Sequence, residues 1–174
     1  IALRAVRDGA NIVIAGINTE GLDETIASMS NLTGNGFAIP TDVTKPDQVK
    51  AMVDGALERF GRIDGAVANA GAFVKQTSFA EMSLDDWNRV VAVNLTGVFL
   101  TLQATLKVLL KQGEGGSLLA TGSSTAIRPI PGMIPYTSSK GGVHQLMRAL
   151  AIELAEDKIR CNTIVPGVTR TQAL

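Results

Sequence analysis

Hydrophobic positions along the chain follow two alternating periods. Short apolar runs, rich in β-branched or small residues, recur at 11–15, 36–40, 63–68, 117–121 and 159–165. Each predicts a buried strand. Between them the spacing lengthens to that of a helix. Leu22, Ile26 and Met29 share one face, and so do Val49, Met52, Val53, Ala56, Leu57 and Phe60. Over 136–156 a helix is predicted with Val143, Leu146, Met147, Leu150, Ala151 and Leu154 on its inner stripe. Punctuation agrees with these periods. Residues 1–8 read as helix, stopped by Gly9. Thr44-Lys45-Pro46 opens a helix with proline in its first turn, and Gly61 ends it. Ser83, with Asp86 three residues on, is a capping-box variant ahead of a long helical region.

Strands alternating with long helices predict an α/β domain of parallel strands joined by right-handed crossovers. Continuously apolar strands belong to a sheet covered on both faces. In such a sheet a ligand sits beyond the carboxyl ends of the strands. That rule directs attention to the residues just after Ala15, Pro40, Ala68, Thr121 and Val165.

Composition narrows the function classes. The 174 residues suit one domain, 1–174. Sixteen basic and 16 acidic side chains cancel, so no basic surface favours nucleic acid or a membrane. The apolar runs look too short for a membrane span. A single cysteine, Cys161, excludes an internal disulfide and a multi-cysteine metal site, and no metal is expected. It suits a reducing, cytoplasmic setting. Ile1 opens inside a helix without a cap, and Leu174 falls just past a turn, so a longer parent protein is expected at both ends.

Each strand end carries residues with chemical use and a plainer alternative. Asp42-Val43 offers an acceptor and an amide to an adenine, or caps a helix. In Asn69-Ala70-Gly71, small residues let backbone approach a ligand closely, while the asparagine could brace neighbouring strands. Thr121-Gly122-Ser123-Ser124 offers a hydroxyl to a substrate oxygen, or is a solvated turn. Pro166-Gly167, with Thr169 and Thr171, could hold a carboxamide, or is a plain loop. The sharpest pair is Tyr136 and Lys140. Four residues apart in a helix, they share a face that continues through Val143 and Met147 toward the sheet. A cation beside a phenol favours the phenolate, which suits Tyr136, the one tyrosine of the chain, for general acid/base work near neutral pH.

The order Asp42, Asn69-Ala70-Gly71, Asn94, Ser123, Tyr136, Lys140, Pro166-Gly167 resembles the short-chain dehydrogenase/reductase family. The resemblance covers essentially all of the chain. Its spacings match the family's as well: 25 residues from Asn69 to Asn94, 13 from Ser123 to Tyr136 and 4 from Tyr136 to Lys140. It implies a Rossmann-type doubly wound sheet in three α/β/α layers, and hydride transfer between NAD(P) and a carbonyl or alcohol carbon. Tyr136 would be the acid/base. Lys140 would assist it and bind the nicotinamide ribose. Ser123, preferred over Ser124 on spacing, would polarise the carbonyl. Asn94, in Asn94-Leu-Thr-Gly97, would kink its helix and hold a water in a relay to Lys140. The family's pattern puts Asp42-Val43 at adenine, Asn69, Ala70, Gly71 and Thr121 along the cofactor with Pro166 and Gly167, and Thr169 and Thr171 near the carboxamide. Its glycine-rich pyrophosphate turn and its last strand have no counterpart in these 174 residues.

An acidic residue after the 11–15 strand would favour NAD through the ribose 2′-hydroxyl. Gly16, Ile17 and Asn18 stand there instead, so the balance leans to NADP, with Asn18 beside it. Residues 97–110 are apolar on more than one face, which, with the resemblance, implies a homodimer or homotetramer. A 3-oxoacyl thioester, a sugar or polyol, or another ketone suits the substrate role. A nucleotide sensor or scaffold on the same fold, and a dehydratase or epimerase, are the competing readings. His144 reads as a helix-surface or interface residue, Trp87 as packing, and Cys161 as core.

Overall fold

The computed structural model describes residues 1–169. By internal contact the chain forms two compact units, Ile1–Ile63 and Asp64–Leu174.

The first unit runs α1 (Ala2–Arg7), β1 (Ile12–Gly16), α2 (Thr19–Ala27), β2 (Gly36–Pro40) and α3 (Pro46–Phe60). β1 and β2 pair in parallel from Ile12↔Gly36 to Gly16↔Pro40. The predicted stops hold for a physical reason. Gly9 and Gly61 adopt φ of 94° and 76°, a left-handed conformation that closes a helix and costs glycine least. Val6, Leu22, Met29, Val49 and Val53 form the buried core, which places the predicted apolar stripes inward. Gly36 packs closely on the Met29 side chain, since a Cβ there would lie 2.2 Å from the Met29 sulfur and the methionine would have to move.

The second unit holds β3 (Gly65–Ala68), α4 (Leu84–Val91), α5 (Gly97–Gln112), β4 (Gly116–Thr121), α6 (Ile134–Glu153) and β5 (Ile159–Ile164). The strands are parallel in the order β3-β4-β5. Ser83 caps α4 by accepting a hydrogen bond from the Asp86 amide at 3.1 Å. α6 starts two residues before the predicted position, with Pro135 in its first turn. It ends at Glu153, and a tight turn through Lys158, at φ 58°, leads into β5.

Two expectations need correction. The helical run Leu84–Gln112 has 29 residues and contains an 18-residue stretch with a mean hydropathy of 1.5, so it is long and apolar enough to cross a membrane. Length alone does not decide its role, because Asn94, Val98, Thr101, Leu102, Thr105 and Leu109 are buried inside the protein. Cys161 is half-buried on β5 rather than in the core, and partial burial still raises its thiol pKa. Trp87 is half-buried, as a packing residue would be.

Candidate active site

One face of α6 organises the site. Tyr136, Lys140 and His144 follow at four-residue steps, so they stack along that face. Tyr136 and Lys140 are buried with Val143 and Met147, the stripe the sequence predicts. The carboxyl end of β4 lies against it. The Lys140 Nζ donates to the Thr121 carbonyl at 2.6 Å. One helical turn on, the His144 Nε2 accepts from the Ser123 amide at 3.5 Å. Tyrosine, lysine and the β4 serine therefore gather at one strand end.

Lys140 is only 3% exposed, and no carboxylate pairs with it among the described residues. Burial without a counter-charge disfavours the ammonium and lowers its pKa from 10.5 to about 8. Its Nζ also lies 5.8 Å from the Tyr136 ring centroid, within cation–π range. A structural lysine normally reaches water or a carboxylate. This one does neither.

Ser123 is buried and extended, at the start of a 3-10 turn over Ser124–Ala126. Its hydroxyl oxygen accepts from the Thr125 amide at 3.1 Å and from the Thr125 hydroxyl at 2.9 Å. Ser124 is more exposed, and its amide donates to the Pro166 carbonyl at 3.0 Å, joining the β4 and β5 loops.

Asn94 lies in a π-helical turn, Ala92–Thr96, between α4 and α5. Widened turns of this kind often mark functional positions. Asn94 is fully buried. Its Oδ1 accepts from the Ala72 amide at 2.6 Å, while its Nδ2 donates to the Ala72 carbonyl at 3.0 Å and to the Ser139 hydroxyl at 3.3 Å. Ser139 in turn donates to the Tyr136 carbonyl at 2.7 Å. Asn94 thus ties the loop after β3 to the first turns of α6.

The residues expected along a cofactor are mixed in their duties. Asn69 braces two strands, its Oδ1 accepting from the Thr121 hydroxyl at 2.8 Å. Asn69, Ala70 and Gly71 are nonetheless exposed, so the backbone beyond β3 is open to a ligand. Pro166 and Gly167 follow β5, and a Cβ on Gly167 would meet nothing within 4 Å. Thr169 turns back on the Gly167 carbonyl at 3.4 Å, and Thr171 lies outside the described residues. Open glycine backbone beside a buried ammonium and phenol fits the nicotinamide half of a dinucleotide: neutral amides, ribose hydroxyls and a flat ring.

The first unit holds the remaining candidates. The Asp42 Oδ1 accepts from the Thr44 amide at 2.9 Å and from its hydroxyl at 2.7 Å, and these bonds hold the carboxyl below its ordinary pKa. That is the cap-like alternative, with the Asp42 amide donating to Gln48 at 2.8 Å. Val43 is half-buried beside it. Asn18 caps α2 by accepting from the Gly21 amide at 3.1 Å, so that oxygen is already employed.

Sequence reasoning missed three residues. Phe73 stacks on Tyr136, with ring centroids 4.6 Å apart. Thr125 holds Ser123. His144, read as a helix-surface or interface residue, packs into the β4 turn instead, where a Cβ on Gly122 would come within 2.3 Å of its Nε2. Burial, then the Lys140 charge, lowers its pKa, so it is a neutral acceptor at pH 7. Only His144 had a sequence signal, its four-residue step from Lys140.

Comparison with known proteins supports the same reading. The family described as enoyl-(acyl carrier protein) reductase matches residues 1–174. A short chain dehydrogenase/reductase, astE, of Aspergillus oryzae is 38% identical over 171 residues, which is 98% of this chain and 66% of that protein. A short-chain type dehydrogenase/reductase from Mycobacterium marinum superposes with a TM-score of 0.93 at 35% identity, covering 98% of this chain and 67% of that one. An NAD+-bound xylitol dehydrogenase gives 0.94 at 31% identity, over 99% and 66%. The Rossmann-type α/β fold class expected from the sequence is the one these structures share with it. The chain spans about two thirds of the length of such relatives.

Proposed function

The chain belongs to the short-chain dehydrogenase/reductase family, and from that premise we propose that the intact protein is an NAD(P)-dependent oxidoreductase acting on a carbonyl or alcohol carbon. The observation that carries this is Lys140, a lysine buried without a counter-charge one helical turn from a buried tyrosine. Such an arrangement costs stability and is commonly retained for chemistry.

The bound nicotinamide supplies or takes the hydride. Tyr136 gives a proton to the substrate oxygen in reduction and removes it in oxidation. Lys140, whose Nζ lies 5.8 Å from the Tyr136 ring centroid, would set a positive charge beside the tyrosine and offer hydrogens to ribose hydroxyls. Ser123 donates to the substrate oxygen and holds it. Asn94 fixes the loop that carries Asn69, Ala70 and Gly71.

NADP is the favoured partner over NAD. Gly16, at the end of β1, is followed by Ile17 and Asn18, with no carboxylate to repel a 2′-phosphate. The xylitol dehydrogenase neighbour holds NAD+, so both coenzymes belong in any assay. The loop 125–135, where Ile127 and Ile130 are exposed, is the proposed substrate wall, and its apolar side chains suit a 3-oxoacyl thioester or another ketone better than a sugar or polyol. Phe99 and Leu110 stand exposed on α5, at 43% and 46%, and favour a homodimer or homotetramer through that helix. A monomeric mass in solution at micromolar concentration overturns the oligomer. A cytoplasmic location belongs to the same proposal.

The test follows nicotinamide absorbance with the full-length protein, NADH and NADPH in parallel, and a panel of ketones, acyl thioesters and sugars. Turnover that collapses in Tyr136→Phe supports the proposal. Tight coenzyme binding without turnover on any substrate moves the assignment to a nucleotide sensor.

A further inference from the structure

We propose that Thr125 is a positioning residue that fixes Ser123 as a hydrogen-bond donor, an inference that rests on the proposed role of Ser123 toward the substrate oxygen.

A serine hydroxyl has one hydrogen and two acceptor sites. In Ser123 both acceptor sites are filled by the same neighbour, through the Thr125 amide at 3.1 Å and the Thr125 hydroxyl at 2.9 Å. What remains is the hydrogen. Ser123 is left able to donate and poorly able to accept. The first of these bonds is a common feature of a 3-10 turn, and any non-proline residue at 125 could make it. The second needs a hydroxyl. Both side chains are buried, at 7% and 6% exposure, so water does not readily substitute.

That polarity matters for carbonyl reduction. Hydride arrives at the carbon, the C=O π pair moves to oxygen, and the Tyr136 proton follows it. The Ser123 hydrogen is not transferred. It stabilises the oxygen while negative charge builds, and a donor already aimed pays no reorganisation at that moment. A hydroxyl that accepts a hydrogen bond is also a stronger donor, because the chain Thr125 O–H to Ser123 O–H to substrate oxygen polarises along its length. The β-branched threonine has restricted χ1 freedom, which keeps its hydroxyl on Ser123.

The experiment uses full-length protein and whichever ketone turns over. Thr125→Val keeps the shape and removes the hydroxyl. It is expected to lower kcat about tenfold, the worth of one such hydrogen bond, with coenzyme affinity unchanged. Thr125→Ser restores most of the rate. In a Ser123→Ala background, Thr125→Val has no further effect, because its route of action is gone. Equal losses in both backgrounds overturn the proposal, as does wild-type kcat in Thr125→Val. Should Thr125→Val fail to fold, a Thr125→Ser variant with far lower kcat than wild type overturns it, and near-wild-type kcat supports it. Full turnover in Ser123→Ala removes the serine from the mechanism and this inference with it, while leaving the Tyr136 assignment standing on its own test.

Discussion

Phe73 lies nearly flat on Tyr136, with ring centroids 4.6 Å apart and planes 22° from parallel. The tyrosine is 9% exposed, whereas Phe73 is 46% exposed. One aromatic ring thus faces the other on one side and solvent on its own. Phe73 follows the Asn69-Ala70-Gly71 loop by two residues, so the segment that offers backbone to a ligand also covers the tyrosine. An offset aromatic pair is worth about 1 kcal/mol beyond its area. Phe73→Ala is therefore expected to lower kcat/KM several-fold, through a looser Tyr136, with a stability loss of about 1 kcal/mol in denaturant titration. Unchanged kcat/KM for every active substrate would show that the stack has no part in the working enzyme.

Lys140 makes stability and function pull apart. Its pKa falls from 10.5 to about 8 in the folded chain. Between those values the unfolded state binds more protons, so this group makes stability rise with pH across that window. Below about pH 8 the cost of burying the charge is present in full. Lys140→Met is expected to lose turnover and to flatten the rise. The difference between the two proteins is what to measure, at pH 7, 8.5 and 9.5, because Cys161, with its raised pKa, acts in the opposite sense. A parallel pH dependence in both proteins contradicts the burial argument.

Much of this was legible because it is written in short-range rules. Gly36–Pro40 is a strand in sequence and structure alike, and Ser83 caps its helix by the amide of Asp86 as its spacing foretells. Tyr136, Lys140, Val143 and Met147 share a stripe because 3.6-residue periodicity leaves no other arrangement. The missing parts depend on atoms far apart in sequence. Asn94 and Ala72 are 22 residues apart, and Phe73 and Tyr136 are 63 apart, so neither pairing has a local signature. Asp42 marks the opposite limit. Its local chemistry, an acceptor two residues before a threonine, suffices to explain the oxygen that a ligand reading would have used.

Gly122 is the tightest point of the β4 turn. A Cβ there would stand 2.3 Å from the His144 Nε2 and 2.7 Å from the Thr163 methyl. Gly122→Ala should cost about 1–3 kcal/mol by overpacking and displace Ser123, with turnover falling alongside. Adding His144→Ala should return part of the stability, since one of the two clashing groups is removed. Purely additive losses in the double variant would mean that the turn relaxes elsewhere. His144 adds a pH signature. Its pKa is lowered, so its contribution is present above its unfolded value of 6.5 and is lost as pH falls below that.

Asn94 separates anchoring from chemistry. Its amide binds both backbone groups of Ala72, at 2.6 and 3.0 Å, and so clamps the loop before Phe73 to the π turn. Asn94→Ala strands an N–H and a C=O that are half-buried, and the expected loss is about 1–3 kcal/mol. Asn94→Asp keeps the acceptor but loses the donor to Ala72 and Ser139 and sets a fully buried carboxyl oxygen against the Ala72 carbonyl, so it should cost at least as much stability as alanine. Turnover per folded molecule decides what else the residue does. If it drops in both variants while coenzyme affinity holds, Asn94 sets the geometry around Tyr136 through Ser139, whose hydroxyl bonds the Tyr136 carbonyl at 2.7 Å. If affinity drops instead, the clamp acts through the Asn69-Ala70-Gly71 loop. If neither moves once unfolded protein is discounted, the clamp holds the fold alone, and a role for this side chain in proton transfer is excluded.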